Sequence, residues 1–600
     1  MSLRAILASI VALTCGGLAL VAPADASPIG SRPAACAPGS RTLGTPGDRI
    51  YPETGNGGYR SVHTNVRMVY DATANAFLPG NKVELTDQAT QCLTSFSLDF
   101  EATSPDTVAG PDLTISSVMV DGSPATFAFL APTYPGDPVG QDDPNPAAHE
   151  MSQTNPVGGP RHNPLPPACS PELASPNPSL QNVDNGKQCP ANKLVITPSS
   201  RIGAGAVFTV TIAYTGRPGI HHDGDGTTEG WFRSPDGGFV TTEPIGNEAW
   251  MPLNNFPTAK PTYDFFDTVA YGKQAIANGV LESETTHPGD AAFPNGSVTW
   301  HWHSAAPIAS YLVESSVGHY NLTTRAAGGI TFYEVQDTAI PAVQQAKNLR
   351  IMNLQADIIN FEGQFNGSYP FTSAGIIIGT PRVSFDEEMQ TMIAFSGGVI
   401  GAGVLYHETM HQWWGDNVSE SGYDMTFYKE GLATVAEFLY SARKAETAAG
   451  GPNTAAGAAA FEATLTRQFN GIYASTGSFW NSAPSNPTPL TLFSTAATYA
   501  RPAAAYLALR QVLGADNFVA ALQQMQRDYG GANIDESQLE AAFHQWMPNR
   551  SRACSQRLDA FFAEWFDTAY PSGGGLNRPQ LTGPGLNGPG FYNQNGGCSA

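Results

Sequence analysis

Basic side chains are scarce: the 600-residue chain has 30 Lys and Arg against 52 Asp and Glu, a formal net charge of −22. That balance argues against nucleic acid and anionic membranes as partners, since both need clustered positive charge. The same negative field would draw in cationic groups, and it also keeps a protein soluble outside a cell. Long apolar runs are missing too. No segment after residue 26 holds 18 unbroken apolar residues, so no transmembrane helix is expected. Cysteine is rare, 7 in all, and none has zinc-ligand spacing or a histidine close by in sequence. A thiolate metal site and a thiol nucleophile are therefore both disfavoured.

What is present begins with an export signal. Arg4, an apolar run from Ala5 to Ala22 and the small-residue stretch "PADAS" read as a signal peptide over residues 1–26, cleaved near Ala26. Cys15 has no lipoprotein context, so the mature chain is expected to be soluble and secreted. Cys36, Cys92, Cys169, Cys189, Cys554 and Cys598 remain, an even number that implies disulfides in an oxidising compartment. Short separation favours Cys169 with Cys189. Cys554 with Cys598 would tie down the C-terminal tail, leaving Cys36 with Cys92.

Six hundred residues exceed one hydrophobic core. After an N-terminal extension over 27–46, residues 47–315 carry short alternating runs such as "KLVITP", "AVFTVTIAYTG" and "SVTWHWH" between Gly, Pro, Asn and Asp clusters. This is the pattern of an all-β domain. Within it, 132–190 is too rich in proline for central strands and reads as a surface insertion. From 316 to 570 the pattern turns to mixed strands and helices. Strands at "GGITFYEV" and "AGIIIGT" bracket one helical run, and four helices follow the loop "STGSFWNSAPSNPTPL". Residues 571–600 form a Gly/Pro-rich tail.

The chemistry concentrates in "LYHETMHQWWGDN", residues 405–417. His407 and His411 are four apart, so on a helix they share a face and can offer ring nitrogens to one metal ion. Glu408 is turned aside from that face, where HExxH sites place the base that deprotonates water. A third ligand is needed. Trp414 and Asn417 stand where a metzincin needs glycine and histidine, which excludes that class. Asp416, Asp424 and a glutamate on a following helix remain. "MTFYKEGLATVAEFLYSARKAE" has Leu432, Val435, Ala436 and Leu439 at helical spacing, with Glu430 one turn in and eighteen residues between it and His411.

"HQWWGDNV" and "YKEGLA" resemble the characteristic stretches of the aminopeptidase N family of zinc metallopeptidases, HExxH followed after eighteen residues by Glu, in a short secreted actinobacterial-type form. "GNGGYRSVHTNVRMVYD", "EGWFRSPDGGFVTTEPIGNEAWMPLNNFPTAKPTYDF" and "ASYLVESSVGHY" extend the resemblance over most of the chain. The implied fold is an N-terminal all-β saddle or sandwich domain followed by a thermolysin-like α/β zinc peptidase domain with a short C-terminal helical segment. The implied site has one zinc per chain on His407, His411 and Glu430, Glu408 as general base, and Tyr499 of "YARPA" as donor to the oxyanion. Thr426, Asp424 and Glu437 are candidates to orient a ligand imidazole.

The strand that holds the substrate amine in this family corresponds to "FDEEMQT", residues 385–391. The resemblance implies Glu388 there, with Glu387 selected if the register shifts by one, and Glu243 of "TTEPIGNEAWMP" as its partner. Phe385, Asp386 and Glu387 replace small and apolar family residues. The implied activity is removal of N-terminal residues from peptides with a free amine. The alternative on the same scaffold is a zinc endopeptidase or other zinc hydrolase without an amine clamp.

Overall fold

The computed structural model describes residues 50–51, 54–104, 106–130, 193–223, 226–488, 490–571, 576–583, 586 and 597–598. The signal peptide, the N-terminal extension, the whole 132–190 insertion, Cys36, Cys169 and Cys189 lie outside them.

The N-terminal region is built on a ten-stranded sheet. Tyr59–Arg67 lies antiparallel to Lys82–Ala89 and parallel to Thr262–Ala270. Strict alternation makes these strands: in Lys82–Ala89 every second residue is buried, from Val83 and Leu85 to Asp87 and Ala89. A second sheet of five strands runs Ile220–His222, Thr228–Ser234, Gly237–Thr241, Ser315–Gly318 and Gln274–Ala277. The last residues of Gly237–Thr241 lead directly to Glu243.

The chain leaves this region at Tyr320 and forms a four-stranded sheet in the order Tyr320–Ala327, Ile330–Asp337, Ser373–Ile378, Met392–Phe395. The first pair is antiparallel and the other two are parallel. Every residue of Ser373–Ile378 is buried, as expected of a parallel strand covered on both faces. One face packs Ile376, Ile378, Ile393 and Phe395 against helices. The other packs Ile377, Met392 and Ala394 into the core of the β region, so this sheet belongs to two cores at once.

The helices are α1 (Ala342–Met352), α2 (Gln355–Asn366), α3 (Ala402–His411), α4 (Thr426–Ala448), α5 (Ala455–Tyr473), α6 (Arg501–Leu513), α7 (Ala515–Tyr529), α8 (Glu536–Gln545) and α9 (Arg552–Phe562). The single run expected after the first strand of this sheet is two helices. The break falls at Asn353 and Leu354, where Leu354 N–H bonds Ile351 C=O three residues back. α5 has no counterpart in the sequence reading. Its buried seam is only Gly457, Thr464, Leu465, Phe469 and Tyr473 in an Ala- and Gly-rich stretch, too thin for hydrophobic periodicity to show. Cys554 and Cys598 form the expected disulfide, and Cys92 is also disulfide-bonded. No helix among the described residues is long and apolar enough to cross a membrane.

Candidate active site

α3 and α4 carry the metal-ligand set, and the loop between them sets its geometry. Gly415 sits at φ +119°, and a Cβ there would stand 3.1 Å from the Lys429 side chain and 3.4 Å from His411 Nδ1, so glycine is required on both counts. His411 Nδ1–H donates to Trp414 C=O at 2.9 Å, and His407 Nδ1–H to Glu437 Oε1 at 2.9 Å. With Nδ1 protonated, each ring turns an Nε2 lone pair inward. Glu430 Oε2 lies 3.2 Å from His407 Nε2 and 3.4 Å from His411 Nε2.

Those spacings test the fit of zinc. Ligands about 2.0–2.1 Å from a tetrahedral ion stand about 3.3 Å apart, which is how Glu430 Oε2 stands to both imidazole nitrogens. Asp416 and Asp424 do not join the cluster of His407, His411 and Glu430. The Glu430 carboxyl is held well below the usual range: burial opposes ionisation, but the Lys429 charge and the two imidazoles outweigh it. It is therefore ionised, as a ligand must be. Of the three candidates to orient an imidazole, Glu437 does so, while Thr426 Oγ1 donates to Tyr423 C=O. Because the Glu437 side chain is 47% exposed, Glu437→Ala should weaken zinc affinity only about tenfold, at the low end for such partners. Competition with a chelator would measure it.

A cavity of about 760 Å3 opens over this cluster, lined among others by Glu243, Asp386, Glu388, His407, Glu408, His411, Glu430 and Tyr499. All seven site residues read from the sequence thus meet in one place. Burial pushes the Glu408 carboxyl above the ordinary range, with His407 opposing and Glu388, Asp386 and Glu430 reinforcing. Tyr499 is pushed above the ordinary phenol range by burial and by the charges of Glu430 and Glu243, so its hydroxyl stays a donor. Its ring centroid is 6.1 Å from that of His407.

"FDEEMQT" is not a loop of solvated carboxylates. Glu387 bridges antiparallel to Ala394 at the sheet edge, with Thr391 turning the chain at φ +63°. Consecutive residues there face opposite ways. Glu387 is fully buried and accepts from Thr242 N–H at 2.6 Å, whereas Glu388 lines the cavity. The Thr242–Glu387 bond therefore clips together the two segments whose next residues are Glu243 and Glu388. Gln412 ties this strand to the zinc helix by donating to Glu388 C=O and accepting from Thr391 N–H.

Three residues escaped the sequence reading. One is Gln412. Another is Arg501, which anchors the turn carrying Tyr499: it is fully buried, and its guanidinium donates to Ser482, Glu564 and Thr568 C=O groups. The third is Lys429, whose Nζ lies 2.5 Å from Glu243 Oε1, 2.5 Å from Glu388 Oε1 and 3.1 Å from Glu430 Oε1. Its only sequence signal is a basic charge beside Glu430 in the mostly apolar "FYKEGLATV".

Residues 394–565 match the peptidase family M1 domain. No curated protein matches the chain. Among solved structures it is similar to the M1 zinc metallopeptidase from Deinococcus radiodurans at 17% identity and TM-score 0.63, covering 89% of this chain and 99% of that one. A mutant of that enzyme bound to a Tyr-Ser-Ala substrate gives 18% and 0.63, with the same coverage. A two-domain M1 zinc metallopeptidase mutant bound to L-arginine gives 18% and 0.62, again covering 89% and 99%. At this identity the structures speak to the fold. That match holds both ligand helices, α3 and α4, and on that ground residues 394–565 form a peptidase family M1 domain.

Proposed function

We propose that this chain is a secreted aminopeptidase with one zinc per chain, removing N-terminal residues from peptides. The observation that carries the reading is the convergence of Glu243 and Glu388, from segments that adjoin two different sheets, beside the ligand cluster. Two carboxylates there would hold a protonated α-amine by charge-assisted hydrogen bonds, placing the first peptide bond over the metal. His407, His411 and Glu430 would hold the zinc, which when bound would supply Lewis-acid activation of water and of the scissile carbonyl. Glu408 takes the proton from the attacking water and passes it to the leaving amine. Tyr499 donates to the oxygen on which negative charge develops. The signal sequence and the Cys554–Cys598 disulfide are consistent with export.

A second reading, hydrolysis without amine selection, draws on Lys429, which already engages one oxygen of each clamp carboxylate. An aminoacyl amide and its N-acetyl form separate the two. The aminopeptidase reading expects strong preference for the free amine. Glu388→Ala should then cut kcat/KM on the free-amine substrate roughly 30-fold or more, since the ammonium loses a buried partner, while zinc content stays normal. If the acetylated compound is turned over equally well by wild type, the second reading holds.

A further inference from the structure

Lys429 stands where its charge matters most. Glu243, Glu388 and Glu430 bring carboxylate oxygens within 4.8 Å of one another, and the Lys429 ammonium contacts all three. Without a cation between them, these like charges would repel and turn the carboxylates apart.

Where the lysine lies decides whether it blocks the clamp or builds it. Its side chain is fully buried, and Glu243, Glu388 and Glu430 line the cavity while Lys429 does not. The ammonium therefore sits behind the carboxylates, on the side away from the cleft. It bonds Oε1 of Glu243 and Oε1 of Glu388, and among the described residues neither Oε2 takes a hydrogen bond. Its seat is also shaped for it. The ammonium lies 4.7 Å from the centroid of the Tyr311 ring, and the absent Cβ of Gly415 leaves room for its stem. The segments carrying Glu243, Tyr311, Glu388 and Gly415 thus hold the lysine in one position.

We infer that Lys429 is a positioning residue for substrate-amine recognition: it bridges Glu243 and Glu388 from behind and leaves one oxygen of each for the substrate's ammonium. The inference rests on the aminopeptidase reading and gives it a structural condition. Half of the clamp's hydrogen-bonding capacity is committed to holding its own shape, so the incoming amine meets carboxylates already oriented. It also reconciles an internal ammonium in the clamp with selection for a second one.

Lys429→Met removes the charge and keeps the length. With zinc content and Tm checked, it should raise KM for a free-amine aminoacyl amide roughly tenfold or more, with a smaller change in kcat. The ratio of kcat/KM on the free-amine substrate to that on the N-acetylated form should fall, whereas a general structural defect would lower both alike. Lys429→Arg should recover part of the KM loss. If Lys429→Met does not fold, Lys429→Gln carries the same expectation. A lower KM than wild type would show the lysine to be a competitor for the clamp, and an unchanged KM would show it to be irrelevant; either overturns the inference. Wild type that ignores acetylation defeats the aminopeptidase reading first, so the two failures are distinguishable.

Discussion

Glu408→Gln is expected to keep its zinc and lose turnover. The substitution preserves shape and leaves His407, His411 and Glu430 untouched, so metal analysis should still find one zinc per chain. What disappears is the proton acceptor. An amide cannot take the proton from water or return it to the leaving amine, and the loss should reach about 10³-fold, within the usual span for a positioned acid–base group. Burial and the neighbouring carboxylates raise the Glu408 carboxyl, so wild-type kcat/KM should fall as the solution is acidified and that group takes up its proton, while the residual activity of the variant should not follow the same limb. Loss of zinc in Glu408→Gln would mean that Glu408 is itself a ligand.

Glu430→Ala should fail differently, through the metal. Its carboxylate completes the three-donor set at 3.2 and 3.4 Å from the imidazole nitrogens. Two histidines alone hold zinc far more weakly than three protein ligands. The purified variant should lose stoichiometric zinc on dialysis and lose activity in proportion, with partial recovery when zinc is added in excess. The change also removes a partner of Lys429, so a modest drop in Tm is expected alongside. Stoichiometric zinc after dialysis would move the third ligand elsewhere. Glu388, whose Oε1 is 3.7 Å from His411 Nδ1, would then be the residue to test.

Where these variants differ from one another depends on geometry that the sequence carries unequally. The zinc cluster was legible because its parts are local. His407 and His411 share a face by helical period alone, and Glu430 announces itself at the start of an amphipathic helix. The strands of the β region were legible for the same kind of reason, an alternation visible within eight residues such as Lys82–Ala89. α5 was not, because a helix buried along a thin seam among alanines leaves little periodic signal.

The clamp shows the opposite limit. Glu387 and Glu388 are neighbours of identical chemistry, and nothing local says which one serves the cleft. The bridge between Glu387 and Ala394 sets the register, and Thr242 N–H, just past the end of a strand of another sheet, claims Glu387. Glu437 was one of three candidates until the packing of α3 against α4 brought its carboxylate to His407 Nδ1. Lys429 was invisible as anything but a charge beside a ligand, since Glu243 and Glu388 are 186 and 41 residues away in the chain. The sequence by itself determined which residues could offer ligands to one ion, because His407 and His411 are one helical turn apart and Glu430 opens the next amphipathic helix. Only the tertiary structure decided which carboxylates face the substrate and what holds them there, because those relations arise from chain crossings between sheets, and a side chain's face is set by the partner it packs on.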